Sequence, residues 1–354
     1  MDGRARIRDD ELRSWLVDHG ADPASRDTVE FEMGWGGLGS DLVLARDAEL
    51  TLREVAEHAG VDVDKVLHVF HDLGVMVPDD DTPQFTPLDV AFVQGMARAT
   101  EIGIAQGNAL LHVVAGAMER IAEAAVAVYV QGPEEALRGR WATVFDCARS
   151  NVDATELSLD LGAGLGAVFR HHMRQAIARQ RVIQEGVSRR ELARVAIGFV
   201  DLVGSTALQA GLDPAELGAQ VSRFEARAFD VIAAGGGRLV KVIGDEIMVA
   251  TVDPAAGVRI VADLVAAFTD DGTRPRGGLV FGEVLFRHGD YYGPVVNLAA
   301  RLVDAAIPGE ALVDRSVVEA LKDDDGRAFE PAGRRMLKGF DEPVAVWSLA
   351  SAGA

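Results

Sequence analysis

Hydrophobic positions follow two different periods along this 354-residue chain, and the change falls near residue 190. Between Asp89 and Arg181, apolar residues recur at intervals of three and four, which is typical of amphipathic helices. Gly132-Pro133 interrupts the pattern. Residues from about Leu157 to Gln184 are predicted to form one long helix. The first part of the chain is therefore predicted to be helical.

Strand-like and helical segments alternate after residue 190. Short apolar runs bounded by glycine and other turn residues predict strands, and capped periodic runs predict helices. The predicted strands are 195–201, 238–243, 246–251, 276–286, 311–314 and 344–349, and the predicted helices are 213–234, 254–270 and 293–306. The order β-α-β-β-α-β at the start of this series predicts a ferredoxin-like core with additions. The predicted fold class is α+β, with an all-α region in front.

The chain is long enough for two domains, each with its own core. The change in pattern places them at residues 1–185 and 191–354. Residues 186–190 join them as a short polar linker, in which Ser188 is a plausible helix N-cap.

Composition excludes several classes of partner. The formal net charge is −20, which argues against a surface for nucleic acid or for anionic membranes. No uncharged apolar run reaches the roughly 18–20 residues of a membrane span, and residues 1–10 lack the apolar core of a signal peptide. The single cysteine, Cys147, excludes an intrachain disulfide. We therefore expect a cytoplasmic protein with no membrane span and no bound nucleic acid.

Two aspartates, Asp201 and Asp245, each stand where an apolar run breaks into a short turn that contains glycine. Carboxylates at the ends of buried strands can meet at one edge of a sheet. Two converging oxygen ligands suit Mg²⁺ and a polyphosphate. Gly204-Ser205-Thr206 follows the first aspartate, and the N–H groups of such a turn can cradle phosphate oxygens.

Two further segments carry polar side chains on otherwise apolar elements. Lys241 stands four residues before Asp245 on a predicted strand, where it alternates away from the core. Asn297 and Arg301 are one turn apart on the helix predicted from residue 293, so they share a face. An amide and a guanidinium in that arrangement suit an oxygen that gains charge in a transition state.

Together these residues resemble the catalytic domain of class III nucleotidyl cyclases, over roughly residues 191–350. The resemblance rests on three motifs in order: Phe-x-Asp-x-x-Gly-Ser-Thr at 199–206, Lys-x-x-Gly-Asp at 241–245, and Asp-x-Tyr-Gly-x-x-Val-Asn-x-Ala-x-Arg at 290–301. It implies an enzyme that makes cyclic AMP or cyclic GMP, with two Mg²⁺ or Mn²⁺ ions in each active site.

The resemblance also implies a role for each matching residue. Asp201 and Asp245 bind the metal ions, and the pair of Lys241 and Asp290 reads adenine. In guanylate-making relatives these two positions typically hold Glu and Cys or similar residues, so the pair here implies ATP. The remaining roles are orientation of the ribose by Asn297, stabilisation of the pentavalent phosphorus by Arg301, and contacts to the triphosphate from Arg276, Lys338 and the turn formed by Gly204, Ser205 and Thr206.

The family fold further implies an obligate homodimer, because the metal aspartates of one chain face the purine-reading and transition-state residues of the other. The whole chain resembles actinobacterial two-domain cyclases whose helical N-terminal domain is autoinhibitory, in some cases in a pH-dependent way. Seven of the eight histidines precede residue 190, and histidines titrate near neutral pH. We therefore expect residues 1–185 to regulate the enzyme.

Three alternatives stay open. The first is a guanylate cyclase, which a substrate assay separates from an adenylate cyclase. The second is a diguanylate cyclase, since Gly244-Asp245-Glu246 weakly resembles that family's signature, although Ile243 replaces its first glycine. The third is a non-enzymatic helix-turn-helix regulator with a nucleotide-sensing domain, suggested by residues 51–75. That segment has two basic and five acidic residues, so its net charge is negative. A DNA-recognition helix needs a net positive charge.

Overall fold

A computed structural model of the chain describes residues 11–12, 14–18, 32–77, 79–102, 107–138, 143–184, 192–203, 211–269, 274–322 and 329–349. It divides into two compact units, Met1–His171 and His172–Ala354. The predicted linker at 186–190 lies outside the described residues. The division between the units falls earlier, inside the long helix that ends at Gln184.

The first unit is helical, as the three- and four-residue spacing predicts. Its helices, together with the long helix that continues into the second unit, are α1 (Glu32–Ala45), α2 (Leu52–Ala59), α3 (Val63–Asp72), α4 (Pro87–Glu101), α5 (Gly107–Tyr129), α6 (Glu135–Arg138) and α7 (Val144–Gln184). The break predicted at Gly132-Pro133 is a π-helical segment, Val130–Glu134, between α5 and α6. A π-helical turn accommodates a proline within a helical path because the local hydrogen bonds are rearranged.

Helices α2 and α3 form the helix-turn-helix pair expected within residues 51–75. Thr51 and Glu54 form a capping box at the start of α2, and Gly60 ends it with a left-handed φ of 67°, as the C-terminal position of a helix favours. A small core joins these helices to α4; it contains Leu52, Val55, Ala56, Val66, Phe70, Phe85 and Val93. The only basic side chain of α2 apart from histidine, that of Arg53, is bound to Asp80 and Asp81.

The second unit is built on a mixed eight-stranded sheet in the order β2-β3-β1-β4-β6-β8-β7, with β5 paired to β4. Its strands are β1 (Leu192–Val203), β2 (Arg238–Ile243), β3 (Glu246–Thr251), β4 (Arg274–Arg287), β5 (Asp290–Tyr292), β6 (Ala311–Asp314), β7 (Phe329–Arg335) and β8 (Val344–Leu349). Its remaining helices are α8 (Pro214–Ala234), α9 (Pro254–Thr269), α10 (Pro294–Ala305) and α11 (Arg315–Ala320).

In chain order, the first six elements of the second unit after α7 are β1-α8-β2-β3-α9-β4, and they form the ferredoxin-like core. The order β2-β3-β1-β4 and the antiparallel pairing of neighbours are those of a split βαβ arrangement. The predicted α+β fold class is therefore confirmed. Strands β5 and β7 and helix α11 were not predicted. Strand β7 contains Pro331, Gly333 and three charged residues, and such a composition lacks the apolar alternation of a strand.

The sheet buries a core on each face. One core joins α8 and α9 to the sheet through Ile232, Ile260, Leu264 and Phe268. The other core lies beneath α10 and contains Leu302 and Val303 of that helix. Neighbours along β1, such as Phe199 and Val200, belong to different cores, because successive side chains of a strand point to opposite faces. Within the described residues, no helix is both long and apolar enough for a bilayer.

Candidate active site

Three charged side chains lie opposite one another across the central strands. Asp201, near the end of β1, is the register partner of Glu246 on β3 and of Arg276 on β4. Directly opposed residues of antiparallel strands share a face of the sheet. The strand order therefore gathers two carboxylates and one guanidinium from three distant segments of the chain.

The guanidinium of Arg276 is bound at this point by three hydrogen bonds. Its Nε and Nη2 donate to Oδ2 of Asp201 at 2.9 and 2.7 Å, and its Nη1 donates to the backbone oxygen of Asp304 at 3.0 Å. Both side chains of the ion pair are largely buried, with 24% of Arg276 and 18% of Asp201 exposed. A charge-assisted pair in such surroundings is stronger than a pair in open solvent.

Asp245 lies in the two-residue turn of the β2–β3 hairpin, as predicted. Gly244 precedes it with φ 65°, a conformation that suits a tight hairpin turn. Glu246 follows it, and its pKa is raised above the usual range. The first cause is burial, and the negative charges of Asp201, Asp304 and Asp245 add to it. Three carboxylates therefore lie within electrostatic reach of Glu246.

This oxygen-rich group fits a divalent cation. Hard cations such as Mg²⁺ and Mn²⁺ prefer carboxylate oxygens, and Mg²⁺ sites commonly use one or two carboxylates together with substrate phosphates and water. Within the part of the chain that the structure describes, no set of three or more His, Cys, Asp or Glu side chains is arranged to hold a metal alone.

Lys241 and Asp290 form the second group of predicted residues that the fold brings together. Nζ of Lys241 on β2 lies 2.6 Å from Oδ2 of Asp290 at the start of β5. The other carboxylate oxygen accepts a hydrogen bond from the backbone N–H of Tyr291 at 2.8 Å. The pair is half-buried, with 39% and 25% of the two side chains exposed. It presents a donor and an acceptor side by side.

Arg238 supports this pair, and the sequence analysis missed it. Its Nη2 donates to the backbone oxygen of Gly289, just before Asp290. Its guanidinium lies 5.8 and 5.7 Å from the ring centres of Phe286 and Tyr291, within the range of a cation–π contact. Because these contacts join β2 to the β4–β5 hairpin, Arg238 positions Asp290 beside Lys241.

Helix α10 carries Asn297 and Arg301 one turn apart, as predicted. It begins after Gly293, whose φ of 127° favours glycine, and Pro294 occupies its first position. The Asn297 side chain is exposed and that of Arg301 is partly exposed. Nη1 of Arg301 donates to Oδ2 of Asp304 at 2.9 Å.

Asp304 is a second residue that the sequence analysis missed, because it follows the motif that carries the resemblance. Its carboxylate holds Arg301 and its backbone oxygen holds Arg276. The sequence did carry a signal for Asp304, because it follows Arg301 by three positions and residues with that spacing are neighbours on a helix.

The last predicted positions are peripheral or undescribed. Lys338 is exposed in the turn after β7. Gly204, Ser205 and Thr206 lie outside the described residues, so their proposed contact with phosphate stays a prediction.

Comparison with known proteins gives several relatives of similar length, although no protein-family model matches the chain. An adenylate cyclase of Glutamicibacter nicotianae is 33% identical over 311 residues, which cover 83% of this chain and 77% of that protein. An uncharacterised protein of Mycobacterium tuberculosis is 36% identical over 322 residues, covering 88% and 82%. A protein of M. tuberculosis named "pH-sensitive adenylate cyclase" is 29% identical over 365 residues, covering 99% and 89%.

Solved structures similar to the chain include the adenylyl cyclase CyaB from P. aeruginosa. It is 23% identical, with a TM-score of 0.39, and the match covers 45% of this chain and 94% of that chain.

Proposed function

The chain belongs to the class III nucleotidyl cyclase family, and we propose that it converts ATP to 3′,5′-cyclic AMP and pyrophosphate. The family follows from an identity above 30% with adenylate cyclases across most of both chains. The observation that carries the choice of ATP is the 2.6 Å contact between Lys241 and Asp290.

This pair complements adenine. The exocyclic amino group of adenine donates a hydrogen bond, and the neighbouring ring nitrogen accepts one. The carboxylate of Asp290 is an acceptor and the ammonium group of Lys241 is a donor. Guanine reverses the pattern at the corresponding atoms, because it presents a carbonyl oxygen and a ring N–H. A site with this pair therefore favours ATP over GTP.

The reaction joins the ribose 3′-oxygen to the α-phosphorus and breaks the bond from that phosphorus to the oxygen of the departing pyrophosphate. Asp201 and Asp245 would hold two Mg²⁺ or Mn²⁺ ions, which lower the pKa of the attacking hydroxyl and neutralise charge on the phosphates. Asn297 orients the ribose. Arg301 stabilises the charge that grows on the α-phosphate in the transition state, so its contribution raises the rate rather than only the affinity.

Arg276 and Lys338 complete the proposal as contacts to the triphosphate. The planar fork of a guanidinium matches phosphate oxygens bidentately, and Arg276 already lies beside Asp201. Lys338 is exposed and long enough to act as a mobile point charge.

The decisive test is cyclic AMP production from ATP by the wild type and by Asp245→Ala. We expect the substitution to reduce the rate by about 100-fold or more, because it removes an electrostatic interaction that acts on transition-state charge. Asp263→Ala is a matched control, since Asp263 is an exposed aspartate of α9. Full activity of Asp245→Ala with ATP would rule out the metal assignment, and a preference of the wild type for GTP would rule out the substrate.

We also propose that the N-terminal helical unit restrains the catalytic unit and that protons modulate the restraint. The similarity to a relative named for pH sensitivity supports this idea. Two histidines, His71 and His112, lie 4.0 and 3.7 Å from the carboxylate of Asp72. His71 and Asp72 both belong to α3, whereas His112 belongs to α5, so a positive charge on His112 would create an ion pair between the two helices.

The restraint is tested by comparing residues 187–354 with the full chain. We expect the shorter protein to be more active near neutral pH and the ratio between the two to change between pH 5 and 8, the range in which histidine titrates. The full chain treated identically is the reference at every pH. Superimposable activity profiles would contradict a regulatory role for the first unit.

A further inference from the structure

Arg276 contacts the carboxylate to which the proposed function assigns a metal ion. Two nitrogens of Arg276, Nε and Nη2, both donate to the same oxygen, Oδ2 of Asp201, at 2.9 and 2.7 Å. The carboxylate assigned to the metal is therefore already neutralised by a cation of the chain itself.

The charge around this contact explains why a cation is held there. Glu246 on β3 is the register partner of Asp201, and Asp245 precedes Glu246 in the turn of the same hairpin. Closely spaced carboxylates repel one another unless a cation lies among them. Arg301 is bound to the carboxylate of Asp304, whereas Arg276 faces Asp201 directly. The guanidinium of Arg276 thus offsets part of the repulsion in the chain alone.

The third hydrogen bond of Arg276 makes an exchange of partners feasible. Nη1 donates to the backbone oxygen of Asp304, so the guanidinium has an anchor that does not depend on Asp201. Leaving the carboxylate breaks only the two bonds to Oδ2. A triphosphate offers several anionic oxygens in the geometry that a guanidinium fork prefers.

We propose that Arg276 is a built-in placeholder for a metal ion: it occupies Asp201 until a triphosphate draws it away, which couples metal binding to nucleotide binding. The inference rests on the proposed function, since it takes Asp201 as a metal ligand. Arg276 and the metal ion compete for the carboxylate of Asp201. Nucleotide binding draws Arg276 away from that carboxylate and leaves it to the metal ion, and metal binding frees Arg276 to contact the triphosphate. By linkage, the nucleotide then strengthens metal binding and the metal strengthens nucleotide binding by the same factor.

The placeholder role predicts effects of opposite sign from a single substitution. Without nucleotide, Arg276→Met should bind Mn²⁺ about tenfold more tightly than the wild type, because the competing cation is gone; coupling between sites commonly has this size. In EDTA, the same variant should bind 3′-deoxy-ATP about tenfold more weakly, because a phosphate contact is lost. This nucleotide has no 3′-hydroxyl and cannot cyclise. A merely structural arginine would weaken both interactions together.

The experiment measures Mn²⁺ binding by electron paramagnetic resonance and 3′-deoxy-ATP binding by calorimetry on the full chain. Arg259→Met is the matched control, because Arg259 lies on α9, where it contacts Asp253 at 3.7 Å; both affinities should match the wild type. Arg276→Lys, which keeps the charge but loses the fork, should bind Mn²⁺ with an affinity between those of the wild type and Arg276→Met. Thermal melting verifies that each variant is folded.

Two outcomes overturn the inference and are distinguishable. If Asp201→Asn abolishes Mn²⁺ binding but folded Arg276→Met binds Mn²⁺ no more tightly than the wild type, the metal site stands and the placeholder role is wrong. If Asp201→Asn leaves Mn²⁺ binding unchanged, the metal assignment itself is wrong, and the placeholder role is wrong with it. Tighter Mn²⁺ binding together with weaker nucleotide binding in Arg276→Met supports the proposal.

Discussion

At the scale of the residue, the site depends on pairs of opposite charge whose members come from distant parts of the chain. Lys241 and Asp290 are 49 positions apart, and Asp201 and Arg276 are 75 positions apart. Each member is half-buried or largely buried, so the loss of one leaves the other without its partner. Such a loss costs more than that of an exposed surface pair.

A residue-scale prediction concerns the choice of purine. We expect Lys241→Ala and Asp290→Ala each to lower kcat/KM for ATP by about 100-fold, because a site built on hydrogen bonds discriminates strongly when one partner is missing. The preference for ATP over GTP should fall in both variants. Initial rates with each nucleotide provide the measurement.

Lys322→Ala removes an exposed lysine outside the site and should leave the ratio of rates unchanged. The double variant should lose less than the two single effects combined, since the two side chains contact each other. Additive losses would show that the two residues act independently and would contradict a shared purine contact.

At the scale of the element, helix α10 depends on its close approach to β4. A Cβ atom at Gly278 would lie 2.7 Å from both the backbone oxygen of Ala299 and the backbone nitrogen of Val303. Backbone atoms of a helix cannot rotate away from such an overlap as a side chain can. The glycine therefore sets the depth at which Asn297 and Arg301 lie over the sheet.

We predict that Gly278→Ala destabilises the protein by about 1–3 kcal/mol, the usual cost of overpacking. It should also lower kcat, because α10 must shift and carries Arg301 with it; small displacements of a catalytic group have large effects on rate. Urea unfolding and steady-state kinetics measure the two effects.

Gly218→Ala offers a comparison on helix α8, where a new Cβ would meet no atom within 4 Å. It should leave activity unchanged and stabilise the protein by about 1 kcal/mol, because alanine has the higher helix propensity. Equal behaviour of the two variants would show that the contact between Gly278 and α10 is unimportant.

At the scale of the whole molecule, we propose that two copies of the chain together form each active site. Each chain would supply metal aspartates to one site and the Asn297–Arg301 pair to the other. Such an arrangement is closed by a two-fold axis, and each copy presents the same surface to its partner.

Mixing two inactive variants tests this arrangement. Asp245→Ala and Arg301→Ala should each retain at most about 1% of the wild-type activity alone, and an equal mixture should recover about a quarter of it. Half of the dimers formed at random are mixed, and each mixed dimer has one intact site of two. Cyclic AMP production after co-refolding or co-expression provides the measurement.

Asp245→Ala mixed with Asp201→Ala is the control, because both substitutions affect the same half of the site and no intact site can form. Recovery in this control, or no recovery in the first mixture, would contradict a site shared between chains.

Local patterns in the sequence determined most of the elements and the residue types of the site. The hairpin that holds Asp245, the capped start of α8 and the spacing of Asn297 and Arg301 all depend on neighbours within a few positions, so periodicity and turn residues suffice to predict them. Strand β7 lacked such a signal because Pro331 and Gly333 interrupt it.

Only the tertiary structure decided which of these residues touch. The register of β1 against β4 places Arg276 on Asp201, and the β4–β5 hairpin places Asp290 on Lys241. Register depends on how all the strands bury their apolar faces together, and a shift by one residue would turn each side chain to the opposite face. The contact between Arg276 and Asp201, on which the proposed competition between an arginine and a metal ion rests, therefore forms only when the sheet is complete.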